Sequence, residues 1–277
     1  MDVDEFLALH RTAIDQIEKG HRSVARSALP YEVTGRAASL LESRAGGPVA
    51  WPSGHTLPCD PQGNPMIFVM QIDLSALPPL PDFPRKGLLQ LFVTHDIAER
   101  GITFSPDQFE AGFFPLAHGD GFRLEYHRDT KGLAETPYQI PAAEHPVAEQ
   151  VFAETPVKLA IWDSVRQPPP FNNWHAEALS TQLEALINDT PDAPDYYDIV
   201  EAFGLPDLGT TIGGYAQPMQ LDQRSFFPEY QSYDRLLLGL WEFDGFDVPS
   251  LAMHILINTP DLKEARFDQT IMIADAD

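Results

Sequence analysis

The chain has 277 residues, 43% of them hydrophobic, which allows one large domain or two small ones around a buried core. Its 18 Lys and Arg face 41 Asp and Glu, a net charge of −23, and such a field repels both phosphate backbones and anionic lipid surfaces. Nucleic acid and membrane are therefore disfavoured as partners, the single cysteine (Cys59) rules out a disulfide framework or a Cys-based zinc site, and 26 prolines argue against an all-helical bundle.

In chain order, Val3, Phe6, Leu7, His10, Ile14 and Ile17 follow helical spacing, with Asp2 and Glu5 as a capping pair and Gly20 as the stop. The start of the chain has no basic region and no continuous apolar run, so it does not read as a signal peptide, and a soluble cytoplasmic protein is expected. Ile67–Leu74 alternates Phe68, Met70, Ile72 and Leu74 against Val69, Gln71 and Asp73, and reads as a strand. Pro78–Pro84 is a stiff connection, and Leu88–Val93 is a second strand. His118-Gly-Asp-Gly121 has hairpin chemistry ahead of a strand at Phe122–Tyr126. A helix is predicted over Asn173–Asn188, capped by Asn172 or Asn173, and a short one over Asp195–Phe203, ended by Gly204 and Pro206. Strands at Leu236–Asp244 and Met253–Ile257 follow. The fold class expected is α+β: mostly β, with a few peripheral helices.

The order of these signals repeats. Gly46-Gly47 precedes the strands Ile67–Leu74 and Leu88–Val93, and Gly213-Gly214 precedes Leu236–Asp244 and Met253–Ile257 at similar spacings. An internally duplicated β unit is expected, with two similar sheet modules. The same residues carry a family resemblance. Ser43–Pro52, Met66–Leu74 and Gly87–Val93 are similar to the first half of the YwqG-like family, and Ile212–Gln220, Leu236–Gly239 and Ile255–Phe267 to its second half. The family pattern usually has Gln where Gly239 stands. The resemblance covers about Leu40 to Ile273, and a single domain over 1–277 is expected, with halves at about 40–150 and 205–275 and a helical acidic insert at about 172–204. It implies no enzyme activity, and it implies a context: such proteins often occur among immunity partners of bacterial polymorphic toxins.

No motif points to catalysis. The Gly-Gly pairs lack the Gly-x-x-Gly, Lys-Ser/Thr and helix start of a phosphate loop, and read as turns. The nine His show no metal-ligand spacing, and His118 with Asp120 or His95 with Asp96 fit turn and surface roles better than acid–base work. His254 lies in an apolar strand and reads as a satisfied core residue. There is no Gly-x-Ser-x-Gly elbow, Asp60 beside Cys59 opposes a thiolate, and Asp244-Gly-Phe-Asp247 lacks the rest of a calcium loop. No cofactor and no metal are expected.

Charge is the informative signal. Between Arg166 and Arg224 there is no Lys or Arg, while nine acids stand in that window: Glu177, Glu184, Asp189, Asp192, Asp195, Asp198, Glu201, Asp207 and Asp222. N-terminal helix acids favour the helix dipole, which covers Asp195 and Asp198 but not the whole window. The remaining reading is an electronegative surface for a cationic partner. Asp189, Asp192, Asp195, Asp198, Glu201 and Asp207 form its candidate contacts, with Tyr196 and Trp174 as aromatic anchors. The function expected is immunity: neutralising a cognate antibacterial toxin of interbacterial competition, such as a type VI secretion effector. The toxin expected is a basic nuclease, a DNase or related enzyme, whose phosphate-binding cleft the acids would fill. The alternative is an enzyme or small-molecule binder using a cleft between the two β halves; a general interaction scaffold is a third reading.

Overall fold

Short apolar runs separated by proline- and glycine-rich turns leave the chain one economical way to satisfy its backbone, an antiparallel sheet. The computed structural model describes residues 1–97, 115–136, 156–204, 210–218, 222–241 and 251–276. Helices α1 (Val3–Leu9) and α2 (Arg11–Ser23) come first, followed by strands β1 (Arg26–Ala37), β2 (Arg44–Ala45), β3 (Val49–Pro52), β4 (Ile67–Asp73) and β5 (Leu88–Val93). Strands β6 (Leu116–Ala117), β7 (Phe122–His127), β8 (Leu133–Thr136), β9 (Val157–Ile161) and β10 (Val165–Gln167) lead to helices α3 (Glu177–Asn188) and α4 (Tyr196–Ala202). Strands β11 (Thr211–Gly213), β12 (Arg235–Trp241) and β13 (Leu251–Ile257), helix α5 (Thr259–Glu264) and strand β14 (Thr270–Ala276) complete the order.

One sheet runs β6-β14-β13-β12-β11-β1-β9-β2-β4-β5-β7, with β10 on β1 beside this path, while β3 and β8 form a separate ribbon. Every ladder among the described residues is antiparallel. The sheet's two ends meet through the turn between β6 and β7, where His118 bridges Phe122, so it is nearly closed.

The strand order is symmetric about the β1–β9 pair. Outward on one side come β11, β12, β13 and β14; on the other come β2, β4, β5 and β7. The detail repeats as well. Register slips between Phe68 and Met70 against β5, and between Leu236 and Leu238 against β13. Each bulge turns two consecutive side chains, Val69-Met70 and Leu237-Leu238, into one shared core, while Phe68 and Leu236 pack outward. The simple alternation expected for Ile67–Leu74 breaks at this point. Both Gly-Gly pairs sit in equivalent turns at positive φ. A Cβ on Gly47 would lie 2.7 Å from the Pro156 ring, and one on Gly214 would lie 2.1 Å from Gln167 Oε1, so both turns require glycine. Ala45 and Ile212 stand in the same position, as do Gln71 and Gly239, and Gln90 and His254.

Three elements differ from the sequence reading. The first helix bends at His10 rather than running straight, and its Nε2 lies 2.8 Å from Thr190 Oγ1. Gly20 does not stop α2, which runs on to Ser23; a Cβ there would make an ordinary 3.5 Å contact with Leu179 of α3. Strand β1, which carries Pro30, has no counterpart among the predicted strands. The strand changes partner at that residue, from β10 to β9, and the Pro30 carbonyl accepts the Trp162 N–H. The Asp2–Glu5 capping box and the Asn173 cap form as expected, and Asp195, expected as the first helical residue, is instead the cap of α4.

Candidate interaction surface

Helices α1 to α4 build a lobe of their own, around Phe6, Ile14, Ile17, Phe171, Leu183, Ile199 and Phe203. The acids of the basic-free window fall on the outside of this lobe because the inward positions are apolar. Glu177, Glu184, Asp189, Asp192, Asp195, Asp198 and Glu201 are all exposed. Asp189 ends α3, and Asp195 begins α4, where its Oδ1 accepts the Tyr197 N–H at 2.9 Å. Asp195 is therefore a cap as well as a surface charge. The chain's amino group donates to the Asp192 carbonyl at 3.0 Å, and α1 packs against α4. This brings Asp2, Asp4 and Glu5, also exposed, to the same lobe. Sequence spacing had no means of joining positions some 190 residues apart.

The aromatic residues divide differently from expectation. Tyr196 is half-buried against the lobe's core, and burial pushes its phenol pKa up. Tyr197 points outward at 78% exposure, and Leu9 on α1 is 64% exposed. Of the aromatic residues on α4, Tyr197 is thus the one available to a partner. Trp174 packs against another group: its ring centroid lies 4.2 Å from His175 and 5.7 Å from the Arg224 guanidinium. The structure does not bring it onto the α4 face. Asp222 is withdrawn from the surface, buried in a two-pronged ion pair with Arg224 whose contacts are 2.7 and 2.9 Å. That pair, its bond to the Tyr233 carbonyl and the Trp174 N–H satisfy both charges inside the protein, and hold the Asp222 carboxyl below its ordinary pKa. Asp207 lies outside the described residues, as do the Asp244–Asp247 acids.

The other chemical candidates resolve into structure. The carbonyls of Gly46 and Pro48 face the buried Arg44 guanidinium, so the first Gly-Gly turn presents acceptors rather than the N–H cradle that a phosphate needs. His118 Nε2 contacts the Leu124 backbone at 3.1 Å. His175 is held near 3 by burial and by Arg224 and Arg26, and its Nδ1 meets Asn173 Oδ1. His254, fully buried, is pushed down to about 4 and its Nε2 accepts the Gln217 N–H at 3.1 Å. Cys59 is exposed, with Leu57 O 3.6 Å from its sulfur. Among the described residues, no group of three or more His, Cys, Asp or Glu is placed to hold a metal ion, and no helix is long and apolar enough to cross a membrane. Among the described residues the two β halves share one core, to which Leu29, Tyr31, Ile67, Leu159, Ile212 and Leu238 belong, and Tyr31 donates to the Gly239 carbonyl at 3.0 Å.

Residues 43–276 match the model of a family described as a domain of unknown function, DUF1963, and the chain belongs to that family. No curated protein matches the chain.

Proposed function

We propose that this DUF1963 member, which resembles YwqG-like proteins, is a non-enzymatic immunity protein of the cytoplasm that binds and neutralises a basic toxin, most naturally a nuclease. The carrying observation is the acidic face of the helical lobe. Asp189, Asp192, Asp198 and Glu201 are exposed there without a basic residue in their segment, and Tyr197 stands exposed among them. A nuclease holds phosphates in a cationic cleft, and carboxylates on a rigid helix can occupy such a cleft with charge-assisted hydrogen bonds. Exposed carboxylates chiefly accelerate encounter, whereas an aromatic side chain buried on docking slows release. Tyr197 supplies the second element, and Leu9 on α1 is another exposed apolar side chain of the lobe.

The test uses the product of the adjacent reading frame as partner, measured by surface-immobilised kinetics. Asp192, Asp198 and Glu201 are changed together to Lys, while Asp195 is left in place because it caps α4. The association rate is expected to fall at least about tenfold at low salt, and the wild-type rate to fall as salt rises. Unchanged association and unchanged protection of cells expressing the toxin would refute this surface.

A further inference from the structure

The three strand ends at one rim of the first β half build a cleft of 520 Å³, lined by Leu41, Asp73, Ser75, Lys86, Gly87, Arg128, Asp129 and Thr130. Register places these residues together. Asp73 pairs with Leu88 and Leu88 with His127, so Ser75, Lys86 and Arg128 follow or precede three adjacent strands at the same level. The rim is fixed by backbone contacts. Leu74 N–H donates to the Gly87 carbonyl at 3.0 Å, and Tyr126 Oη donates to the Lys86 carbonyl at 2.9 Å. Gly87 has φ 99°, and a Cβ there would lie 2.5 Å from the Tyr126 ring.

The charges of the lining are not equally available. Asp73 Oδ1 accepts both the N–H and the hydroxyl of Ser75, at 2.9 and 2.6 Å. Asp129 Oδ1 accepts the Lys131 N–H at 3.0 Å. One oxygen of each carboxylate is thus engaged by its own chain, and both carboxylates remain part of the lining. Lys86 and Arg128 are exposed and make no ion pair among the described residues. Arg85 and Lys131 adjoin them in sequence, so four cations stand at this rim against the two carboxylates Asp73 and Asp129, a local excess of positive charge on a chain of net charge −23. A forked guanidinium and an ammonium at one cleft match a compact oxyanion, the Thr130 hydroxyl adds a polar group, and Leu41 offers a short apolar wall. The volume suits a small metabolite.

We propose that this cleft binds a small organic anion carrying one phosphate or carboxylate group, held by Lys86 and Arg128. The site shares no residue with the acidic lobe and does not depend on the immunity reading. The test titrates the full chain with glycerol 3-phosphate and, separately, with glycerate, which carry the same diol fragment on a phosphate ester and on a carboxylate, following backbone amide shifts by NMR. Saturable shifts at Gly87 and Thr130 are expected with at least one of the two, and the responding probe identifies the oxyanion. The Lys86→Met/Arg128→Met double variant, whose side chains are exposed and whose fold is checked by circular dichroism, is expected to bind at least about tenfold more weakly, whereas Arg36→Met binds as wild type. Absence of shifts with both probes, equal binding by the double variant, or equal loss in Arg36→Met would overturn the proposal.

Discussion

His254→Gln isolates the cost of keeping one imidazole neutral inside the sheet. The two halves place Gln90 and His254 at the same position, so the replacement is one that the fold already accommodates in its other half. A glutamine carbonyl can accept the Gln217 N–H that His254 Nε2 now accepts at 3.1 Å. Burial drives the His254 pKa from 6.5 down to about 4, with Asp222 and Arg224 acting in opposite directions. The unfolded chain therefore binds a proton on this residue from pH 6.5 downward, while the folded chain does not until about pH 4. Stability from this group is complete above pH 6.5 and is lost as pH falls through that window. One proton amounts to about 1.4 kcal/mol per pH unit, so the loss reaches roughly 2 kcal/mol at pH 5. Urea unfolding of both proteins at pH 7.5 and pH 5 measures it. The variant is expected to lose about 2 kcal/mol less than wild type between the two pH values, whatever its stability at pH 7.5. Equal losses in the two proteins would refute the neutral, buried state of His254. His175, held near 3, keeps a second acid-sensitive slope in both proteins and cancels in the comparison.

Two further outcomes follow from packing. Gly214→Ala is expected to lower unfolding stability by about 2–4 kcal/mol, through positive φ and collision with Gln167 and Ala28, whereas Gly54→Ala, at φ 79° with nothing within 4 Å, costs about 1 kcal/mol; urea midpoints separate the two. Trp174→Ala is expected to cost about 2 kcal/mol because its ring packs on His175 and under Arg224, while Tyr197→Ala stays within about 0.5 kcal/mol and instead speeds dissociation from a bound toxin.

What was legible in the sequence was what depends on local chemistry. The Gly-Gly turns, the strands β4, β5, β12 and β13, and the caps at Asp2 and Asn173 all rest on residue types whose backbone preferences hold in any context. Strand β1 was hidden by Pro30, and β9 and β10 by the lack of a clean alternation: Val157–Ile161 has four of its five residues half-buried. The site followed the same division. The shared outward face of Asp198 and Glu201 could be read from helical periodicity. The burial of Asp222 could not, because it depends on Arg224 folding back two residues to meet it, and the outward turn of Tyr197 depends on which neighbour fills the lobe.

The symmetry also locates the origin of the acidic lobe. The first unit's opening strand, β1, pairs with β11 of the second, and the second unit's opening strand, β9, pairs with β2 of the first. Each half thus completes the other's sheet, and a cut between them would leave two unpaired edges, so the halves fold as one body. In the first unit, β1 reaches β2 through residues 38–43; in the second, the equivalent connection from β9 to β11 spans residues 162–210 and contains α3 and α4. The lobe is an elaboration of that one connection, closed from the other side by α1 and α2, which precede the duplicated strands and the family match. Its core of Phe6, Leu183, Ile199 and Phe203 is separate from the core shared by both β halves. A surface placed there can change its charge and its exposed aromatic without disturbing the packing of the duplicated sheet, which is the freedom that recognition of one particular partner requires.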